Sequence, residues 1–277
     1  MTPYLSVVLP AYNEALHIES NVVQVVDSLI GDGRSFEVIV VDDGSPDRTD
    51  LAAIKAKARH PDLVRVVRYD KNRGKGNALI CGASYAKGDV VAFLDADMDL
   101  HPSQLLPMIE KLNREHLDIV IGSKRHPESD VDYPRHRWIF SSVYFLLIRI
   151  LFGLPLRDTQ TGIKLYRRRV VESVFPRVVA KRFAFDVEVL AISHSLGFTV
   201  ADAPITLRFG RQFSRIKYKD VWRTLLDTLG IFFRLRVTGY YNKNVGDFRM
   251  ESQEDYCARE ISHHDIELGE HIIIKNS

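Results

Sequence analysis

The chain has 277 residues, 45% hydrophobic and 27% charged, the make-up of an ordinary globular protein with room for one large α/β domain or two small ones. A net charge of only +2 argues against nucleic acid as a partner of the whole chain. Two widely separated cysteines, Cys81 and Cys257, fit no metal or redox spacing and point to a reducing compartment. The opening MTPYLSVVLP enters a strand without the cationic start of a signal peptide. No uninterrupted apolar run reaches the length of a membrane span, and the nearest, residues 138–154, carries Arg149. The expectation is a cytosolic or peripheral protein.

Strand and helix signals alternate along the first half. Residues 5–10 (LSVVLP) predict a strand, and 14–29 a helix with Val22, Val25, Val26 and Leu29 at helical spacing. A second strand follows at 36–41 (FEVIVV), a helix at 49–59, a third strand at 63–69 and a helix at 76–86. The fourth strand is 90–94 (VVAFL), then a helix at 102–114 and a fifth strand at 118–123 (DIVIGS). Continuous apolar strands alternating with helices predict a mostly parallel central sheet with helices on both faces. Ligands of such sheets collect at the carboxyl ends of the strands. Three polar constellations fall there: PAYNE (10–14), DDGS (42–45), and Asp95, Asp97 and Asp99.

No GxGxxG follows the first strand and no GxxxxGK[ST] occurs, which disfavours dinucleotide and Walker-type phosphate cradles. Residues 71–77 (KNRGKGN) are instead a basic turn before a helix, suited to an anion, although alone they would read as a surface turn. If extended geometry continued past Leu94, Asp95, Asp97 and Asp99 would converge. Clustered carboxylates raise each other's pKa unless a cation compensates, so the pattern reads either as a divalent metal site or as an acidic solvated turn.

Together, VVLPAYNE, VVDDGSPDRT, NRGKGNAL and FLDADMD resemble, in order and spacing, the family 2 glycosyltransferases of GT-A fold, over roughly residues 5–123. RDTQTGIKLY (157–166) and RFAFDVEVL (182–190) resemble the branch that charges polyprenyl phosphates, closest to dolichyl-phosphate glucosyltransferases and more distantly to the mannosyltransferases. The resemblance implies one GT-A domain over 1–244, with a nucleotide-sugar half (1–123) and an acceptor-binding, membrane-proximal half (124–244). An acidic tail, 245–277, matches nothing. Pro10, Tyr12 and Glu14 would line the nucleotide pocket, and Val41 with Asp43 would hold the base. Asp42 either serves that loop or caps the turn. Asp95 would touch ribose or metal, Ala96 would lie against the nucleotide, and Asp97 would be the principal ligand of Mg²⁺ or Mn²⁺. Asp99 is either a third ligand or a helix cap ahead of Pro102.

The implied acceptor, a lipid phosphate, is largely dianionic at neutral pH because its second pKa is about 6, so it needs cations more than a base. The sequence offers them in Lys124, Arg125, Arg135, Arg137, Arg208, Arg211, Arg215 and Lys217, and by resemblance Lys124 stands where relatives have arginine while Arg137 and Ser141, one helical turn apart, would clasp the phosphate. Asp158 could orient the sugar or, with a hydroxyl acceptor, act as base. Asp186 and Glu188 could orient the sugar or support the arginines, and Glu188 reads equally as an ion pair holding a helix to the sheet. Asp97, Asp95, Asp158 and Arg137 are thus the catalytic candidates.

Charge shifts sharply near Asn244: residues 203–243 carry nine Lys/Arg against two Asp, and 246–277 eight acids against three basic residues. Two stretches rich in aromatics and basic at their ends, 138–154 and 221–233, suit a membrane interface or burial against the sheet. In the second, Val221, Leu225, Leu229 and Phe232 share one face, with Trp222, Leu226 and Phe233 adjoining. The expectation is a metal-dependent, inverting transferase of a hexose, UDP-glucose favoured, to dolichyl or polyprenyl phosphate. It would be peripheral on the cytoplasmic membrane face, an arrangement compatible with a membrane-embedded partner subunit. The rivals are a GDP-mannose enzyme, a hydroxyl-acceptor transferase of the same family, and a nonenzymatic nucleotide-sugar sensor.

Overall fold

The structure, a computed structural model, describes residues 2–131, 135–182, 184–208, 218–243 and 246, and within these it leaves aside the side chains of 135–141 and 218–221. The described residues form two compact units that divide in sequence between Met98 and Asp99. The fold is mixed α/β with a mostly parallel sheet flanked by helices. Residues 99–123 group with the second unit because β5 (Ile119–Ser123) pairs with strands from later in the chain, whereas the sequence reading drew its seam after Ser123. The tail 247–277, with Cys257, lies outside the described residues.

The first unit contains β1 (Leu5–Ala11), α1 (Ile18–Ile30), β2 (Phe36–Asp42), α2 (Thr49–Arg59), β3 (Val64–Arg68), α3 (Lys75–Tyr85) and β4 (Val90–Leu94). Its strands run in the order β3-β2-β1-β4 and all its pairings are parallel, so their carboxyl ends share one rim. β2 and β4 are buried at every position, which explains the unbroken apolar sequence of β4 and the mostly apolar one of β2, where Glu37 and Asp42 are the buried exceptions. α3 packs on β1 and β2, and α2 on β3 and α1. Cys81 is buried on α3.

In the second unit β5 lies between an antiparallel β7 (Ile163–Arg167) and a parallel β8 (Val200–Pro204), and α4 (Leu105–Arg114) covers β5 and β7. A small parallel ladder joins β6 (Asp130–Val131) to β9 (Thr206–Leu207). The remaining helices are α5 (Arg135–Phe152), α6 (Arg168–Val174), α7 (Phe185–Ser195) and α8 (Tyr218–Arg236). α5 and α8 meet through a Tyr144–Thr228 hydroxyl pair at 2.9 Å and an edge-on Phe152–Phe232 contact. Away from those contacts each presents an exposed apolar stripe at helical spacing: Val143, Leu146 and Ile150 on α5, and Trp222, Leu226, Leu229, Phe233 and Val237 along and just past α8. No helix among the described residues is long and apolar enough to cross a membrane.

α8 is anchored at its far end by a buried carboxylate. Glu188, on the first turn of α7, has no exposed surface. Its Oε2 accepts from the N–H groups of Val179 (2.9 Å) and Ala180 (2.5 Å), and its Oε1 from Arg234 Nη2 (3.2 Å) and the Tyr241 hydroxyl. Arg177 completes the clamp by donating to the carbonyls of Tyr241 (3.0 Å) and Lys243 (2.9 Å). Glu188 therefore serves packing, joining α7 to the end of α8 rather than a helix to the sheet. A buried charge is tolerable only with such a full set of partners, and taking one side of the pair away leaves the other stranded. Glu188→Ala should cost about 3 kcal/mol or more in urea unfolding; a loss below about 0.5 kcal/mol, the scale of an ordinary surface substitution, would contradict this role.

Candidate active site

The loops on the first unit's rim are laced together by side chains that accept from backbone N–H groups. Ser45 Oγ takes the N–H of Asn13 (3.1 Å), Thr49 Oγ1 that of Glu14 (2.9 Å), and Asp47 Oδ2 that of Ala15 (3.1 Å). PAYNE is thereby fastened to DDGSPDRT, with Asn13 in the left-handed conformation (φ 60°) that Asn tolerates. Asn21 Nδ2 donates to the Ala96 carbonyl (2.7 Å) and fixes the DAD turn to α1.

Of the residues expected to meet the nucleotide, Tyr12 is exposed and Pro10 and Glu14 are half-buried at the end of β1. Val41 and Ala96 are buried, so they can offer a ligand backbone but little side chain. Asp43 is 3% exposed, and its two oxygens accept from the N–H groups of Arg73 (2.7 Å) and Gly74 (2.9 Å). It thus shapes the basic turn before α3, a task the sequence reading did not assign it.

β4 stops at Leu94, and Met98 takes φ 58°, so the extended spacing that would have aligned three carboxylates is broken. Among the described residues no three His, Cys, Asp or Glu side chains converge as a ready metal cage. Asp97 is exposed, while Asp95 is half-buried and pairs with Lys75 at 2.5 Å. Asp99 belongs to the second unit, where its carbonyl accepts from Arg208 N–H (3.2 Å) and leads into the Leu100–Leu207 bridge. His101, and not Asp99, caps the turn at Pro102, its ring nitrogen accepting from Ser103 N–H. One or two hard carboxylate oxygens at a strand end do suit Mg²⁺ or Mn²⁺, provided a bound diphosphate and water complete the shell.

Asp42 is wholly buried and turns inward. Its Oδ1 accepts from Ser45 N–H (3.0 Å), while Oδ2 lies 3.6 Å from Arg68 without a hydrogen bond. It caps the turn that presents Asp43, one of the two roles left open. Burial pushes its carboxyl up to about 6, against the opposing pull of the Ser45 bond and Arg68.

In the second unit, Asp158 Oδ2 meets Lys124 Nζ (2.8 Å) and Lys124 N–H (3.2 Å), and its Oδ1 accepts from Gln160 N–H (3.1 Å). Burial raises the Asp158 carboxyl, but the Lys124 charge and these donors outweigh it and hold the group below its ordinary value. Lys124 is therefore engaged internally. Arg125 reaches Ser142 Oγ (3.0 Å) and lies over the Phe145 ring on α5, and Arg208 forms a two-pronged pair with Asp130. Asp186 pairs with buried Lys164 (2.9 Å), a lysine that sequence reasoning passed over because its partner is 22 residues distant. The side chains of Arg137 and Ser141, and the whole of Arg211 and Arg215, lie outside the described residues.

Asp42 yields a signed pH prediction. A carboxyl whose folded-state pKa exceeds its ordinary value contributes stability that is present below about 4 and lost as pH rises through about 6. Asp42→Asn cannot titrate, so from pH 4 to 7.5 it should gain on the parent by roughly 2–3 kcal/mol. Urea unfolding at both pH values checks this, and a pH-independent difference would refute it.

The sequence profile of the family described as Glycosyl transferase family 2 matches residues 6–175, well over half of the chain. Among similar proteins, glycosyltransferase AglD of Haloferax volcanii is 34% identical over 203 residues, which cover 73% of this chain and 32% of that protein. The dolichyl-phosphate beta-glucosyltransferases of Dictyostelium discoideum and Homo sapiens are 30% and 32% identical, over 73% and 74% of this chain and 65% and 67% of theirs. The chain thus spans about a third of the archaeal relative and about two thirds of the others. In fold it is similar to glucosyl-3-phosphoglycerate synthase from Mycobacterium tuberculosis in complex with UDP, with a TM-score of 0.62 at 24% identity over 83% of this chain and 79% of that one. The same enzyme with Mn²⁺ and UDP-glucose gives 0.62 at 25% identity, over 83% and 78%. The profile match and the human relative together settle the family: the chain belongs to glycosyl transferase family 2.

Proposed function

We propose that this chain is a metal-dependent, inverting glycosyltransferase that moves glucose from UDP-glucose to a dolichyl or polyprenyl phosphate. The carrying observation is the pair Asp95 and Asp97 at the carboxyl end of β4, on the rim shared with the PAYNE and DDGS loops, in a chain whose relatives are dolichyl-phosphate beta-glucosyltransferases. Pro10, Tyr12, Glu14 and Asp43 offer a nucleotide pocket on this rim. Asp97, with Asp95, would hold Mg²⁺ or Mn²⁺, which when bound neutralises charge developing on the leaving diphosphate.

The chemistry asks little of a base. A phosphate monoester brings its own negative oxygen, which bonds to the anomeric carbon from the face opposite the nucleotide as the bond to the diphosphate oxygen breaks. Inversion follows and no proton need be removed. Asp158 fits this scheme, since a carboxylate already bound to Lys124 and two N–H groups, with its basicity held down, is a poor proton acceptor. That favours the phosphate acceptor over the hydroxyl-acceptor rival. In this reading Asp158 and Lys124 shape the loop beside the acceptor, while Arg137, Ser141, Arg211 and Arg215 are left to hold the phosphate.

A polyprenyl tail stays in the bilayer, so the protein must come to it. The exposed stripes of α5 and α8 carry Arg149, Arg223 and Arg236, also exposed, on the same helices. Apolar insertion plus roughly 1 kcal/mol per cation near anionic lipid would give reversible docking on the cytoplasmic face, where a water-soluble nucleotide sugar meets its acceptor.

Two outcomes are expected. Asp97→Asn should keep the fold by circular dichroism yet lose about 100-fold or more in turnover with UDP-glucose and polyprenyl phosphate; near-normal metal-dependent activity would remove Asp97 from the site. In cosedimentation with anionic vesicles, the protein should bind more weakly as salt rises, and Trp222→Ser with Phe233→Ser should abolish most of the binding. Indifference to vesicles under all of these conditions would refute the docking face.

A further inference from the structure

Lys75 has no part in the scheme so far. It opens α3, and its ammonium lies 2.5 Å from Asp95 Oδ1. An ion pair this accessible, with the two side chains 42% and 30% exposed, is ordinarily worth little because both ends are free to wander. Here the backbone that carries the lysine is held from the other side. Asp43 grips the N–H groups of Arg73 and Gly74, the two residues before it. A side chain at Gly44 would come within 2.5 Å of Lys71 C and 2.7 Å of Asn72 N, so the turn lies directly on the DDGS loop. Gly74 itself has φ 100° and ψ 153°, a conformation that side chains disfavour. The turn is strung between Asp43 past the end of β2 and Asp95 past the end of β4.

We propose that Lys75 is the resident counter-cation of Asp95, and that it makes the protein take up a divalent cation and a nucleoside diphosphate together rather than one at a time. The inference rests on the reading of Asp95 and Asp97 as metal ligands. A bare divalent cation must draw Asp95 away from an ammonium and then sit beside that positive charge. A diphosphate arriving with the cation gives the displaced ammonium a new anionic partner, so the repulsion disappears. Binding of metal and diphosphate is then positively coupled, and by linkage each tightens the other by the same factor. The fixed turn confers this, because it keeps the ammonium within reach of both Asp95 and any anion seated there.

Direct Mn²⁺ titration of the full chain by electron paramagnetic resonance, with and without UDP, tests this without reference to turnover. The parent should bind bare Mn²⁺ weakly and about tenfold or more tightly with UDP present. Lys75→Met should bind bare Mn²⁺ about three- to tenfold more tightly, because a positive charge has left the site, and UDP should then add correspondingly less. Lys75→Arg keeps the charge and should behave as the parent. The inference is overturned if Lys75→Met matches the parent in both titrations while Asp97→Asn abolishes the UDP-dependent binding. If the parent binds no Mn²⁺ through Asp97 even with UDP, the metal-site reading itself fails and this inference falls with it, a result recognisably different from the first.

Discussion

Two carboxylates, Asp95 and Asp97, stand on a turn at the mouth of a strand that is buried along its whole length. Like charges at the edge of a low-dielectric sheet raise each other's energy unless positive charge is supplied nearby. The first unit supplies it through its loops. β2 ends in Asp42, buried Asp43 just past it shapes the basic turn, and the turn delivers Lys75 to Asp95. Ser45, Thr49 and Asp47 bind the PAYNE loop to the same framework. In the proposed reading, a nucleotide sugar arriving at these loops meets a structure whose parts are already tied together, and the divalent cation that comes with it answers the excess negative charge of Asp95 and Asp97.

The second unit also matches its carboxylates with cations. Asp158 is matched by Lys124, Asp186 by Lys164, Glu188 by Arg234, and Asp118 by Arg169. These pairs secure loops and helices of the second unit, and at Asp158 the Lys124 charge also holds the basicity of the carboxylate down. In the proposed reading, an acceptor that arrives as a dianion asks for no proton acceptor. In the same reading, the exposed stripes of α5 and α8 offer the surface that a lipid-linked acceptor would require.

The first half was legible because its strands are short and mostly apolar, alternate regularly with helical stretches and are bounded by turn residues. The second half was not. β7 (IKLYR) carries a buried lysine that interrupts its apolar pattern, and α7 is apolar nearly all round, so neither announces its period. On α8, apolar residues occur in almost every register, and the sequence could not tell the stripe that packs from the one that stays exposed. Phe232, grouped with the leading face, contacts Phe152, and the exposed stripe runs one register over, through Trp222, Leu226 and Phe233. Site residues followed the same logic. The motifs nominated Asp43, Asp95 and Asp97, but motif spacing carries no record of pairing, so the engagement of Lys124, Arg125 and Arg208 with Asp158, Ser142 and Asp130 came only from the structure.

The central claim is a transfer to a lipid phosphate, and the most direct measurement is product analysis. The purified chain would be incubated with Mg²⁺ or Mn²⁺, polyprenyl phosphate, and separately UDP-glucose, GDP-mannose and UDP-N-acetylglucosamine. The account predicts a β-linked glucosyl phosphate lipid from UDP-glucose, formed without a hydroxyl acceptor and lost when the metal is chelated. Transfer to an alcohol with none to the lipid phosphate would contradict it.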